Sequence, residues 1–297
     1  MIDTSAAAPV VAGVDGSAAG LTAVRMAARE AALRRRPLRL VHALIWPELN
    51  VSVEPPSTGP PGSGLRNQAE RILAEAVAEA TRTAPQRAVI HEVVEGSPAP
   101  VLLRESRRAA LLVLGYHGLG RITGALVGSV ASQVAAHAEC PVLVARGADE
   151  ASGPVIVGVD GSPYADAAVG FAIEEAALRD SDLVVLHARP QAEQDLSTMD
   201  EPGGSDALAL ATALAQWRDR YPNVRIVYRI AHGRPSRVFV DESADARLLV
   251  VGARGRGGFP GLRLGSVSQA ALHHGSCPLM IIHNGHPPDG GATAERA

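Results

Sequence analysis

The chain contains no lysine, and its 28 strongly basic side chains are all arginine. This absence excludes a Walker-type phosphate lysine, a kinase strand lysine and a Schiff-base lysine. Aromatic residues make up only 3% of the sequence, which leaves no platform for stacking single-stranded nucleic acid. Because the net charge is −3 and neither half is strongly basic, we expect no nucleic-acid partner.

Cysteines and long apolar runs are also scarce. Cys140 and Cys277 are the two cysteines of the chain, and each precedes a proline, so we interpret them as small buried residues without metal-ligand spacing. No run approaches the roughly 18 apolar residues of a membrane span. The segment Met1 to Pro9 lacks the basic and apolar regions of a signal peptide. We therefore expect a cytoplasmic protein without a membrane span.

The sequence consists of two copies of one unit. Its 297 residues, 46% of them apolar, fit about two domains, each with a core of its own. The segment Gly13-Val14-Asp15-Gly16-Ser17 recurs as Gly158-Val159-Asp160-Gly161-Ser162. Each copy ends a short apolar run, which is typical of a buried parallel strand.

Strand-like and helix-like segments alternate through both copies, as they do in parallel α/β sheets. Second helices are predicted over Leu65–Thr83 and Ser205–Tyr221, and Pro98 and Pro235 stand early in third helices. The predicted strands are Val10–Val14, Leu38–Ala43, Ala88–Glu95, Leu111–Leu114 and Pro141–Ala145, then Val155–Val159, Leu183–Ala188, Val224–His232, Leu248–Val251 and Pro278–His283.

The pattern predicts an α/β protein of two Rossmann-like domains. Each domain would have an open five-stranded parallel sheet with helices on both faces. We place the domains at residues 1–147 and 153–285, followed by a flexible tail at 286–297.

A second repeated motif follows the fourth strand of each copy. Gly115-Tyr116-His117-Gly118 is followed, after nine residues, by Gly128-Ser129-Val130. The second copy reads Gly252-Ala253-Arg254-Gly255 and then Gly265-Ser266-Val267 at the same spacing. A strand, a glycine loop and a helix start aim backbone N–H groups at phosphate oxygens. Since ligands of such sheets bind where the strand order reverses, we expect Asp15 to face Gly115 and Asp160 to face Gly252.

These motifs together resemble the universal stress protein family. The pattern G-x2-G-x9-G-[ST] with a G-V-D-G-S strand end is similar to its ATP-binding branch, in the tandem-domain form of mycobacteria and other actinobacteria. The resemblance runs from about Val10 to His283 and implies the fold of the adenine nucleotide alpha hydrolases. The first loop departs from the family pattern at Arg121-Ile122, where a Gly-Gly pair is common.

The resemblance implies one ATP, with or without Mg²⁺, in each half. Asp15 and Asp160 would bond ribose or adenine, and the backbone at Ala43 and Ala188 would meet the adenine. The phosphates would lie against Gly115, Gly118, Gly128, Ser129 and Val130 in the first site, and against Gly252, Gly255, Gly265, Ser266 and Val267 in the second. Gly13, Val14, His117, Arg121, Gly158, Val159, Arg254 and Arg256 complete the candidate set, which contains no metal ligand and no catalytic residue.

Several candidates also have purely structural interpretations. Asp15 and Asp160 each precede a glycine, and Asp-Gly is a common turn. For Gly118 and Gly255 both kinds of reason are open: a side chain there would either occupy the space of a bound phosphate or require a disfavoured backbone angle. Further structural interpretations are a hydrogen-bonded strand-end role for His42 and His187, a loop residue rather than a base for His117, solvated side chains for Arg121, Arg254, Arg256 and Arg263, and plain helix N-caps for Ser129 and Ser266.

Our leading functional hypothesis is an ATP-loaded regulatory module of the stress response with little or no hydrolysis. The competing hypothesis is a slow ATPase that acts as a nucleotide-dependent switch. A third hypothesis is an ATP pyrophosphatase, which belongs to a related fold family. We discount it because that class needs a Ser-Gly-Gly type loop where this chain has Asp15-Gly16-Ser17. We also expect the halves to pair through their fifth strands, while homodimerisation and the protein partner stay open.

Overall fold

The computed structural model describes residues 7–45, 63–118, 127–147, 152–189, 217–256 and 263–283. The chain divides into two compact units, Met1–Ala145 and Arg146–Ala297. Arg121, residues 190–216 and the tail 286–297 lie outside the described residues.

The first unit is a parallel sheet in the order β3-β2-β1-β4-β5. Helix α1 packs with α2, and α3 packs with α4. The chain moves outward from β1 to β3 and then returns to β4, so right-handed crossovers place the two helix pairs on opposite faces. Its elements are β1 (Val10–Gly13), α1 (Ala18–Leu33), β2 (Leu38–Leu44), α2 (Ser63–Thr83), β3 (Val89–Glu95), α3 (Pro98–Ser106), β4 (Leu111–Gly115), α4 (Ser129–His137) and β5 (Val142–Ala145).

The second unit repeats this arrangement in the order β10-β9-β6-β7-β8, again with parallel pairing. Residues 217–220 form the described end of the predicted second helix, which stops one residue before Tyr221. The other elements are β6 (Val155–Val159), α5 (Pro163–Leu178), β7 (Leu183–Arg189), β8 (Ile226–His232), α6 (Pro235–Glu242), β9 (Leu248–Gly252), α7 (Ser266–His274) and β10 (Leu279–Ile282).

All of the predicted strands are present, and the parallel α/β architecture is confirmed. The differences lie at strand ends. Strand β8 begins at Ile226 rather than Val224, because the Val224 N–H donates to the Tyr221 carbonyl in a turn. Pro141 and Pro278 precede β5 and β10 instead of starting them, since proline has no N–H for the ladder.

Aliphatic side chains fill both cores. Strands β4 and β9 are buried along nearly their whole length, as expected for inner parallel strands covered on both faces, and β5 and β10 are buried as well. Cys140 and Cys277 are buried free thiols. In the part of the chain that the structure describes, no helix combines the length and hydropathy needed to cross a bilayer.

Candidate functional site

A cavity of about 270 Å³ lies in the first unit where β1 pairs with β4. This is the position at which the strand order changes direction, the usual ligand position of an open α/β sheet. The cavity volume is near the lower end of the roughly 300–1,000 Å³ typical of small-molecule sites. The predicted site residues that line it are Gly13, Val14, Asp15, Ala43, Gly115, His117, Gly118, Gly128, Ser129 and Val130.

The Asp-Gly-Ser segment after β1 is a turn that starts α1. Asp15 Oδ1 accepts hydrogen bonds from the Ser17 backbone N–H at 3.0 Å and from Ser17 Oγ at 2.7 Å. Ser17 Oγ then accepts from the Gly20 N–H at 3.0 Å and caps the helix. Oδ1 of Asp15 therefore stabilises a turn, as the structural interpretation expected. Asp15 also lines the cavity.

Asp160 makes the same turn in the second unit and also holds the glycine loop. Its Oδ1 accepts from the Ser162 N–H at 3.0 Å, and Ser162 caps α5. Its Oδ2 accepts from the backbone N–H of Arg256 at 2.8 Å. A single carboxylate thus connects the end of β6, the start of α5 and the loop after β9.

The first glycine of each loop is required by helix packing. A Cβ on Gly115 would lie 2.7 Å from the Ala19 carbonyl oxygen in α1, and one on Gly252 would lie 2.8 Å from Tyr164 Cβ in α5. Both distances are far inside van der Waals contact. A fold requirement therefore explains Gly115 and Gly252 whether or not a ligand is bound.

The second glycine is required by the aspartate. A Cβ on Gly118 would lie 2.7 Å from Asp15 Oδ2, and one on Gly255 would approach Asp160 Oδ2 more closely still. Neither glycine has a positive φ, so of the two alternative reasons offered for these glycines the disfavoured backbone angle does not apply. The space that a side chain would need is taken by the carboxylate.

No described residue near the third glycine of each loop requires that position to be glycine. Cβ atoms on Gly128 and Gly265 would have their nearest neighbours at 3.6 and 3.5 Å, which is ordinary contact, and the backbone φ angles are −67° and −76°. These two glycines are the N-caps of α4 and α7, so the N-cap interpretation of Ser129 and Ser266 is wrong by one residue. Because glycine has no side chain, a ligand could approach the backbone closely at this position.

Among the described residues, the N-cap residues of α4 and α7 make no side-chain hydrogen bond to the first turn, as is also true of α3 and α6, whereas serines cap α1 and α5. In the first unit the opening residues of α4 line the cavity. The N–H groups of a first helical turn have no partner within the helix, and the helix dipole adds partial positive charge there. The cavity therefore offers backbone donors suited to an anion.

The histidines at the first site are held by neighbours. His42 Nδ1 lies 2.8 Å from the Val14 carbonyl oxygen, so this nitrogen must carry the proton and donate it. This confirms the strand-end interpretation of His42. His117 lines the cavity, and its ring contacts the Tyr116 ring at a centroid distance of 4.1 Å.

The apolar wall of the cavity was not predicted from the sequence. Leu102 from α3 and Leu114 from β4 line it and both contact Gly13. In the second unit Phe239 stands at the place of Leu102, and its ring lies against Gly158. The apolar stripe of the third helix was the available signal, but it does not separate core positions from pocket positions. Within the described ranges, no three metal-ligating side chains come together.

The family model of the universal stress protein family matches the sequence twice, at residues 8–146 and 152–283. The chain belongs to this family. Among its curated relatives, a universal stress protein of Mycobacterium tuberculosis is 37% identical over 289 residues, covering 92% of this chain and 95% of the relative. A universal stress protein of Mycobacterium bovis is 36% identical over 289 residues, covering 92% and 96%. The expected tandem form is therefore confirmed.

A solved universal stress protein from Archaeoglobus fulgidus has the same fold. Its TM-score is 0.70, and the match covers 94% of this chain and 99% of that protein at 16% sequence identity. At this identity the likeness concerns the fold alone.

Proposed function

We propose that this universal stress protein is a regulatory module that binds one ATP in each half and hydrolyses it little or not at all. The observation that carries the proposal is the pair Gly128 and Gly265. Each opens a helix whose first turn has no side-chain cap, and neither needs to be glycine for any contact within the described protein. An anionic group that approaches the backbone closely accounts for both features.

The rest of the first cavity suits a nucleoside. Leu102 and Leu114 supply an apolar wall, and the end of β2 at Ala43 supplies backbone groups. Asp15 provides a carboxylate oxygen on the side of the glycine loop. The apolar wall would hold the base, the hydrogen-bonding groups the sugar, and the start of α4 the phosphates.

Slow turnover follows from the groups that are present. Rapid phosphoryl transfer needs a positioned base and neutralisation of charge at the γ-phosphate. Asp15 is the only carboxylate among the described cavity-lining residues, and its Oδ1 already accepts two hydrogen bonds from Ser17. We expect less than about one ATP hydrolysed per minute, against roughly ten per second for ordinary enzymes.

The proposal is tested by titration calorimetry on nucleotide-free protein. Gly128→Glu and Gly265→Glu add a carboxylate where the protein leaves room, so each should remove one of two ATP sites while the fold persists. The control Gly64→Glu also adds a charge where no atom lies within 4 Å, and it should leave both sites intact. Two sites that survive in the Gly128→Glu, Gly265→Glu double variant would reject the proposal.

Two further measurements address the ligand and its turnover. Mass spectrometry of nucleotide released from freshly purified protein should show unhydrolysed ATP. Phosphate release should stay near background with and without Mg²⁺. A steady rate above about one per second, unchanged by further purification, would replace the binding module with an ATPase.

A further inference from the structure

The described parts of the two sites differ in charge. Arg254 stands in the second glycine loop where His117 stands in the first, and Arg256 stands at the sequence position of Leu119. Arg254 is half-buried and Arg256 is exposed. Neither forms an ion pair with a carboxylate among the described residues. Two arginines therefore stand in the loop that Asp160 holds, while the described part of the first site contains Asp15 and His117. Arg121 of the first loop lies outside the described residues.

Arg254 adjoins the start of α7, where a ligand would lie, and the Arg256 side chain lies against the turn after β6. The Arg254 Cα is 3.5 Å from the Cβ position of Gly265, so this residue adjoins the uncapped start of α7. Arg256 donates its backbone N–H to Asp160, and its Nη2 lies 2.6 Å from the Cβ position of Gly161. The Arg256 guanidinium thus lies over the Asp-Gly-Ser turn.

From this asymmetry we infer that the second site selects nucleotides by their number of phosphates, whereas the first site discriminates weakly. The inference rests on the proposed nucleotide function and specifies its ligand class: nucleoside di- and triphosphates in the second half. Guanidinium groups make strong, charge-assisted hydrogen bonds to phosphate oxygens. Each additional phosphate supplies further acceptor oxygens for Arg254 and Arg256. A nucleoside monophosphate lacks these oxygens.

The test compares ATP, ADP and AMP at each site in the full chain, without Mg²⁺ so that phosphate charge is not masked. Gly128→Glu isolates the second site, and Gly265→Glu isolates the first. One charge-assisted bond corresponds to about 10- to 100-fold in affinity. The ratio of ATP to AMP affinity should therefore be at least about tenfold larger at the second site, and it should fall steeply with added salt.

Exchange of residues between the copies identifies the cause. In the Gly128→Glu background, Arg254→His with Arg256→Leu should lower the ratio to that of the first site. In the Gly265→Glu background, His117→Arg should raise it. The control Arg225→Leu removes one positive charge, as Arg256→Leu alone does. It does so just before β8, at the end of the sheet opposite the site, and should leave the ratio unchanged.

The outcomes separate this inference from the proposed function. Equal ratios at two functional sites, or a ratio that the double arginine exchange does not lower, overturn the inference alone. Absence of nucleotide binding at both sites rejects the proposed function and this inference with it. A ratio that Arg225→Leu lowers as much as the loop exchange also overturns the inference, since net charge would then be the cause.

Discussion

Replacing Gly255 by alanine should destabilise the second unit through Asp160 rather than through the backbone angle. The added Cβ would collide with Asp160 Oδ2, which is held by the Arg256 N–H at 2.8 Å. The other oxygen, Oδ1, is held by the Ser162 N–H at 3.0 Å. Because both oxygens are fixed, the carboxylate cannot turn away without giving up a hydrogen bond.

The size of the effect follows from the bond that is lost. A hydrogen bond to a charged group contributes about 1.5–3 kcal/mol, and overpacking of one methyl group costs about 1–3 kcal/mol. Asp160 is only half-buried. We therefore expect Gly255→Ala to lower the free energy of unfolding by about 1–3 kcal/mol, since solvent offsets part of the loss.

A double-mutant cycle measures the collision itself. Asp160→Ala removes the carboxylate and its two bonds, so Gly255→Ala should cost little in that background. The double variant should be more stable than the sum of the single effects by about 1–2 kcal/mol. Urea unfolding of nucleotide-free protein is followed by Trp217 fluorescence in a Trp46→Phe background, because the chain has two tryptophans.

Gly265→Ser serves as the control, since a Cβ there meets only ordinary contacts and serine is a favoured N-cap. A Gly255→Ala variant as stable as this control would show that the Asp160 carboxylate does not oppose the added Cβ. Simply additive costs of Gly255→Ala and Asp160→Ala would show the same, because the carboxylate would then not occupy the space of the Cβ.

Three further predictions concern binding, backbone strain and the thiols. Gly265→Ser should leave the unfolding midpoint unchanged or higher, yet weaken ATP binding at the second site at least about tenfold in calorimetry, since its side chain enters the ligand space. Arg35 follows α1 with φ of 54°, so Arg35→Gly should raise the free energy of unfolding in urea by about 0.5–1 kcal/mol. Burial raises the pKa of Cys140 to about 12 and that of Cys277 to about 11, so neither should react with iodoacetamide at pH 8 in the native state. These raised pKa values favour the folded state at neutral pH, and this contribution should be lost as pH rises above about 9, where thiols of the unfolded chain ionise first.

The sequence was sufficient to predict the strands and to bring candidate residues of the first unit to one cavity. Runs such as Leu111–Leu114 are short, aliphatic and bounded by glycine, so they have few alternatives to a buried parallel strand. The repeat of each motif removed most of the remaining ambiguity. Because the carboxyl ends of β1 and β4 must lie together in this topology, Asp15 and Gly118 could be brought to one crevice without coordinates.

The roles of the three glycines could not be predicted in the same way. Gly115, Gly118 and Gly128 look alike in the sequence, yet one avoids Ala19, one avoids Asp15 and one avoids no described atom. These reasons depend on contacts between residues far apart in the chain. The N-cap position likewise depends on which residue first takes helical backbone angles, and this is Ser129 rather than Val130.

The divergence between the two copies separates positions bound by the fold from positions that are not. Leu102 and Leu114 meet at Gly13, while their counterparts Phe239 and Val251 combine a larger with a smaller side chain. This paired exchange keeps volume nearly constant, as a packed wall requires.

The change from His117 to Arg254 has no matching change of volume at a neighbouring position, because this half-buried position is not part of the packed core. The same holds for Arg256, whose backbone holds the loop to Asp160 while its side chain stays exposed. A duplicated unit can change its ligand preference without losing its fold only at such positions. The two arginines are therefore where a difference in phosphate selection between the halves should originate.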